Sequence, residues 1–298
     1  MHLGKCYPMS SRLALGTVQF GTSYGVANTL GQVSREDIAL ILDHAWSAGI
    51  DTLDTAIEYG ESEIRLGEAG VGQWQIISKL PEIPKACTDV ASWVQDSVMD
   101  SIGKLGVSRL RGLLLHRSQQ LLEPQGEALY KALVAIREQG KVEKIGISIY
   151  SPDELDALWP HYSFDLVQAP FNILDRRLVA SGWLARLHQA GTEIHIRSVF
   201  LQGLLLMDAA NRPEKFNRWQ PLWDEWHSWL IDHESTPLQA CLGFAQSQPE
   251  IGRIVLGVDS LQHLKEIIAT SHLGSILFPA NLKCADIALI NPAEWKKL

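Results

Sequence analysis

The sequence predicts an α/β fold, a (β/α)8 TIM barrel in one domain spanning residues 1–298, and three observations predict it. Eight short β-type runs alternate with helix-type segments, the pattern of a parallel sheet covered by helices. No Pro- or Gly-rich linker divides the chain. The first strand is not followed by the G-x-G-x-x-G turn of an open dinucleotide-binding sheet. The 298 residues exceed a usual single core, yet barrels of this kind run to ~200–250 residues or more as one unit.

The eight runs are "LALGTV" from Leu13, "IDTLDT" from Ile50, "WQIISK" from Trp74, "GLLLH" from Gly112, "KIGIS" from Lys144, "FDLVQ" from Phe164, "EIHIRS" from Glu193 and "RIVLG" from Arg253. Between the first two, Ser34 caps "REDIALILDHA" with Asp37 three residues on, and Ile38, Ile41, Leu42 and Ala45 follow helical spacing. Ser151 with Pro152 opens a second helix at "DELDALW". The connection from Pro213 to Gln248 is long, and Trp219, Trp223, Trp226 and Trp229 in it form one helical stripe. Such a stripe packs on the barrel exterior more readily than it lines a pocket. No internal repeat or low-complexity tract accompanies the alternation.

Hydrophobic residues make up 46% and charged residues 20%, enough apolar material for a large core. A net charge of -8 leaves no basic surplus for phosphates, so nucleic acid is not an expected partner. The four cysteines, Cys6, Cys87, Cys241 and Cys284, lack the close pairing of zinc or redox motifs. Reduced thiols in a cytoplasmic protein are expected. The opening "MHLGKCYPMSSRLALG" lacks the apolar stretch of a secretory signal, and no ~18-residue apolar run spans a membrane. The sequence carries no signal for oligomeric state.

In a barrel, chemistry collects at the C-terminal ends of the strands. Asp54 ends the second run, Lys79 the third and His116 the fourth, with Tyr59 five residues past Asp54. A charge at the end of a buried strand is costly unless paired, so Asp54 and Lys79 are expected to neutralise each other. An ammonium beside a phenol makes it a better acid, which gives Tyr59 the role of proton donor. His116 is expected to donate a hydrogen bond to a substrate oxygen. Taken one at a time, each residue has an ordinary account: a core histidine, a bridged charge, a packing tyrosine.

These residues lie in "LALGTVQFG", "DTLDTAIEYGESEIRLGE", "ISKL", "LLLH", "KIGIS", "DLVQAPFN" and "RSVFLQGLL", which in order, over most of Leu13 to Thr270, resemble the aldo-keto reductase family. The resemblance implies a catalytic tetrad of Asp54, Tyr59, Lys79 and His116. It implies hydride transfer from a nicotinamide dinucleotide to a carbonyl, giving an alcohol, with Tyr59 as proton donor. The cofactor it implies is NADPH, with NADH as the alternative, bound without a Rossmann motif. Cofactor contacts carried over are Gly16, Thr17 and Val18 after the first strand, Asp54, Ser148 and Gln168, then Arg197 and Ser198, and Gly257, Ser260 and His263 at the last strand. Lys265 is a further candidate near a 2'-phosphate.

The sequence departs from the family at several of these places: Gly257 and His263 stand where the family's NADP-binding members commonly carry Lys and Arg around the 2'-phosphate. Ile149 follows Ser148 where Asn is common, and Arg197 stands where an aromatic ring often stacks on the nicotinamide; Arg197 stacks through its guanidinium or pairs with an acid. Phe20, Ile57, Asn172 and Phe200 are expected to contact a small-molecule carbonyl substrate, with Tyr24, Arg117 and Phe171 also at the rim. No metal is expected. Two other classes are open: a catalytically weak NADP(H)-binding sensor or accessory subunit, and a metal-dependent barrel hydrolase, for which His195 is the one extra nearby ligand.

Overall fold

A computed structural model describes residues 12–273, 278–279 and 281–298. Cys6 and most of the opening segment lie outside the described residues. All eight expected strands form: β1 (Leu13–Gly16), β2 (Thr52–Asp54), β3 (Gln75–Leu80), β4 (Leu110–Leu115), β5 (Val142–Ser148), β6 (Leu166–Pro170), β7 (Glu193–Arg197) and β8 (Arg253–Gly257). They pair in parallel in sequence order and close when β8 meets β1. Every intervening segment contributes helix, so each strand is followed by a return on the outside, as parallel pairing demands.

Register decides which side chains face the barrel axis. Gly16 pairs with Asp54, Leu114 with Lys79, Ser148 with Gln168, Gln168 with His195, and Gly257 with Gly16. Paired residues share a face, and alternation then sets the rest. The inner wall carries Ile77, Leu114 and Leu166, a small apolar cluster separate from the large core between strands and helices. Above it, toward the C-terminal ends, the wall is polar.

The N-terminal end is closed by charge. Glu193 is met by Arg111 at 3.3 Å, by Lys144, and by His195 Nε2 at 2.7 Å. Arg253 reaches Asp51 at 3.3 Å beside them. Although burial works against ionisation, His195 and then Lys144 hold the Glu193 carboxyl well below the usual carboxylate range. Arg111, Lys144 and Arg253 tie β4, β5 and β8 to carboxylates on neighbouring chain segments.

Helix Arg35–Ser47 begins as expected, with Ser34 accepting from Asp37 N and Ile38, Ile41, Leu42 and Ala45 buried. The helix after β5 differs. It spans Asp153–Leu158 with Pro152 at its N-cap and no side-chain cap bond. The Glu154 carboxylate instead accepts from the backbone N–H groups of Tyr150 and Ser151 and from the Ser118 hydroxyl. Ser151 Oγ keeps a long bond from Asp153 N at 3.5 Å, and the Glu154 carboxylate with its three donors is the stronger tie at this helix start.

The tryptophan stripe packs outside the barrel. In helix Gln220–Asp232, Trp223 and Trp226 are fully buried, and their indole N–H groups donate to Phe216 O and Leu205 O. Trp219 sits just before the helix and donates to Asp286. Cys87, Cys241 and Cys284 are free thiols, and burial pushes the Cys241 thiol up.

Candidate active site

β2, β3 and β4 deliver Asp54, Lys79 and His116 to one mouth. Lys79 Nζ donates to Asp54 Oδ1 at 2.5 Å and to Thr55 O at 2.9 Å, with both charged side chains almost completely buried. Burial alone lowers the Lys79 pKa, but the charge of Asp54, then Tyr59, and the Asp54 hydrogen bond outweigh it and raise the value. The lysine is held as an ammonium.

Asp54 spends its second oxygen across the barrel. Gln168 Nε2 donates to Asp54 Oδ2 at 2.6 Å, and Ser148 Oγ donates to Gln168 Oε1 at 3.2 Å. A single chain of hydrogen bonds therefore links β5, β6, β2 and β3. Each member fixes the rotamer of the next.

Tyr59 comes from the loop after β2, and packing between two glycine-containing turns places it. Gly60 has φ of 56°, in the left-handed region, and a Cβ there would lie 2.5 Å from Gly21 O. A Cβ on Gly21 would lie 1.6 Å from Tyr59 O. The "FG" after β1 and the "YG" after β2 thus interlock, and only glycine fits at both places. Below them, Ser62 donates to Thr17 O at 2.9 Å, and the Glu63 carboxylate takes the hydroxyls of Ser78 and Ser101 at 2.6 and 2.7 Å. The result sets Lys79 Nζ 5.1 Å from the centroid of the Tyr59 ring. His116 lies edge-to-face with Tyr59 at 5.8 Å.

His116 has a partner that sequence reasoning missed. Its Nδ1 is 3.0 Å from Glu58 Oε2. Burial, then the Lys79 charge, lowers the His116 pKa, and Glu58 opposes both. The ring is neutral near neutral pH, with Nδ1 turned to the Glu58 carboxylate and Nε2 on the other side of the ring.

The sequence model of the Aldo/keto reductase family matches residues 12–276. The chain belongs to the aldo/keto reductase family. It is an oxidoreductase of that family. It is 25% identical to D-threo-aldose 1-dehydrogenase from a Pseudomonas species, over 71% of this chain and 75% of that protein. Among solved structures it resembles an aldo-keto reductase from Pseudomonas aeruginosa, with a TM-score of 0.64 and 23% identity over 87% of this chain and 89% of that one. An aldo-keto reductase from Bacillus halodurans in its holo form gives a TM-score of 0.69 at 17% identity, over 89% and 88%. These structural likenesses concern the fold.

Aldo/keto reductases generally bind a nicotinamide dinucleotide, and the residues at this mouth fit one. Gln19 Oε1 is buried with no hydrogen-bond partner. It belongs to an amide packed on Gly257, where a Cβ would come 2.4 Å from Gln19 Nε2. An orphaned acceptor beside a bare backbone calls for a ligand with donors, which ribose hydroxyls and a carboxamide supply. Gly16 and Gly257 adjoin each other across the β1–β8 pair. Ser260 caps helix Leu261–Ser271 by accepting from His263 N, and the His263 ring is exposed beside it. Thr17 is buried, bonding Asp54 O and Ser62 through its hydroxyl, so its side chain serves the frame.

Several expected contacts are corrected by burial. Phe20 is fully buried in the core and does not reach the mouth. Asn172 is fully buried too, and its amide is consumed by Ser198 O and the backbone N–H groups of Leu174 and Asp175. Phe171 stacks on Phe244 at 4.8 Å. Phe171 and Asn172 follow the end of β6, and Phe20 lies in the short helix Val18–Gly21 after β1; all three side chains are buried. Ile57 and Phe200 are half-buried and pack against the core edge, and Tyr24 is 40% exposed.

Among the described residues no acid pairs with Arg197. It donates to Ile149 O at 2.9 Å and Ser198 Oγ at 3.3 Å, and lies over the Tyr150 ring at 4.7 Å. Ser198 has a positive φ of 63°. Arg117 is taken by Glu82 and by Glu123 at 2.5 Å, so its charge is not offered to a substrate. A separate groove of about 800 Å³, lined by Leu122, Tyr150, Pro152, Arg177 and Ile287 among others, includes none of the four strand-end groups. His195 lies on the inner wall toward the closed end, bonded to Glu193. Among the described residues no group of three or more His, Cys, Asp or Glu is placed to hold a metal ion, and no helix is long and apolar enough to cross a membrane.

Proposed function

We propose that this oxidoreductase interconverts a carbonyl, on an aldehyde, ketone or sugar, and the corresponding alcohol. Tyr59 is the proton donor in the direction of reduction. The observation that carries the proposal is the buried Lys79–Asp54 pair lying under the Tyr59 ring, with His116 at its edge. When bound, the nicotinamide dinucleotide supplies the hydride. Gly16, Val18, Gln19, Gly257 and Ser260 would hold it along β1 and β8, and Ser148 and Gln168 would meet its carboxamide.

The protein's own part is electrostatic and positional. The ammonium of Lys79, desolvated and oriented by Asp54, stabilises negative charge developing on the phenol oxygen as its proton leaves. Asp54 is held in turn by Gln168, so the positive charge is fixed before substrate arrives. A preset field costs no reorganisation during the reaction.

NADPH is the coenzyme proposed first. NADH stands beside it because Asp259, which accepts from Asn28 at 3.2 Å next to the helix opening at Ser260, adds a carboxylate that a 2'-phosphate would have to face. The resemblance to D-threo-aldose 1-dehydrogenase favours sugars within the substrate range. A cytoplasmic setting accords with free thiols and goes with this proposal.

The test is a nicotinamide absorbance assay with NADPH and NADH in parallel, against aldehydes, ketones and aldoses, and in reverse with alcohols. Turnover on one class with one coenzyme preferred is the expected result. Cofactor fluorescence quenching with no turnover across the panel would assign the chain to cofactor sensing instead.

A further inference from the structure

The mouth holds a carboxylate that the proton-transfer groups do not use. Glu58 is the residue before Tyr59, and its backbone is pinned on both sides: Ile57 N donates to Lys79 O at 3.2 Å, and Tyr59 N to Ala56 O at 3.0 Å. Its side chain is fixed as well, because Oε2 lies 3.0 Å from His116 Nδ1. The other oxygen, Oε1, receives no hydrogen bond from any described residue, and the side chain is 54% exposed. A carboxylate oxygen held in one place with free lone pairs is an acceptor prepared for a donor on a ligand. Because His116 touches both Glu58 and the edge of the Tyr59 ring, that acceptor adjoins the place of the reacting oxygen.

The charges around Glu58 decide the class of donor. Lys79 is neutralised by Asp54, and Arg117, next in the chain after His116, is taken by Glu82 and Glu123. Arg197 has no acid among the described residues, but it stands on β7, opposite β3 across the closed barrel. The rim at β2 and β4 is therefore negative and opposes a phosphate or carboxylate placed there. An ammonium would suit the charge, yet a primary amine beside an aldehyde condenses with it, so the donor compatible with a free carbonyl is a hydroxyl. We propose that Glu58 is a specificity-determining residue whose Oε1 accepts the hydroxyl on the carbon next to the reacting carbonyl, so that the site selects α-hydroxy carbonyls, the aldoses and hydroxyketones. The proposal rests on the function stated above and names its substrate class; the proton delivered to the carbonyl oxygen still comes from Tyr59.

The test compares 2-hydroxypropanal with propanal, which differ only in that hydroxyl, in the wild type, Glu58→Leu and Glu58→Gln. Glu58 is exposed, so the fold tolerates both replacements. In the wild type kcat/KM for the better enantiomer of 2-hydroxypropanal is expected to exceed that for propanal. Glu58→Leu is expected to cut the ratio on the order of 10-fold, about one partly exposed hydrogen bond. Comparing the ratio between proteins cancels the hydration of each aldehyde in water. Glu58→Gln keeps an acceptor oxygen and retains part of the preference. A residue that acted only through His116 would lower both aldehydes by one factor; that result, or a ratio unchanged in Glu58→Leu, overturns the proposal alone. No turnover of either aldehyde by the wild type with nicotinamide dinucleotide bound overturns the carbonyl chemistry beneath it as well.

Discussion

Replacing Asp54 by Asn removes one negative charge and almost no volume, so the response isolates the electrostatics of the mouth. In the wild type Lys79 is 1% exposed, and its ammonium has Asp54 Oδ1 at 2.5 Å and Thr55 O at 2.9 Å. The variant leaves a buried cation with neutral acceptors alone. Breaking a buried pair from one side costs about 3–5 kcal/mol, and that is the expected loss near neutral pH. The pH dependence follows from the direction of the Lys79 shift. Its folded pKa lies above the ordinary 10.5, so its contribution is whole below that value and fades as pH rises through the folded pKa. In Asp54→Asn, burial is no longer opposed by Asp54, the Lys79 pKa falls, and deprotonation at high pH relieves the variant. Guanidinium unfolding at about pH 7 and about pH 10 should show a gap between the two proteins that narrows at the higher pH. A gap under about 1 kcal/mol near neutrality, the range of an exposed pair, or one independent of pH, would refute the reasoning.

Two further outcomes test the frame around the mouth. Gly21→Ala puts a methyl against Tyr59 O and Ser62 N; a loss of about 1–3 kcal/mol from overpacking should appear in a thermal melt, with turnover falling because the Tyr59 loop moves. Glu193→Gln should flatten the acid limb of a stability–pH curve. The wild-type carboxyl is depressed, so its contribution is present above about 4.5 and lost as pH falls toward the folded value, and the variant has none to lose.

The barrel was legible because short β-type apolar runs, buried on both faces, alternate with segments of helical spacing. All eight strands formed at the runs identified, although β4 and β5 start before their runs and β3 and β6 end beyond theirs. The meeting of Asp54, Lys79, His116 and Tyr59 was legible for the same reason: strand order carries strand ends to one rim. What the sequence hid depended on facing. Phe20 and Asn172 sit at the right height but turn into the core, and nothing in a linear pattern distinguishes the two sides of a loop residue. Glu58 was hidden for a different reason. Its partner lies 58 positions away, and an acid beside a tyrosine looks like a solvated charge. Gln19 left a signal only in retrospect: a polar side chain packed on a strand-end glycine, 238 positions away, is visible once β1 and β8 are side by side.

Tyr59, whose ring lies over the buried Lys79 ammonium, is proposed to move the proton that accompanies hydride transfer. Turnover and cofactor affinity of Tyr59→Phe, measured on whichever substrate the panel identifies, test it most directly. A fall in kcat of about 10²–10⁴-fold with nicotinamide binding unchanged is the expected result. A phenylalanine variant that turns over at the wild-type rate would contradict it.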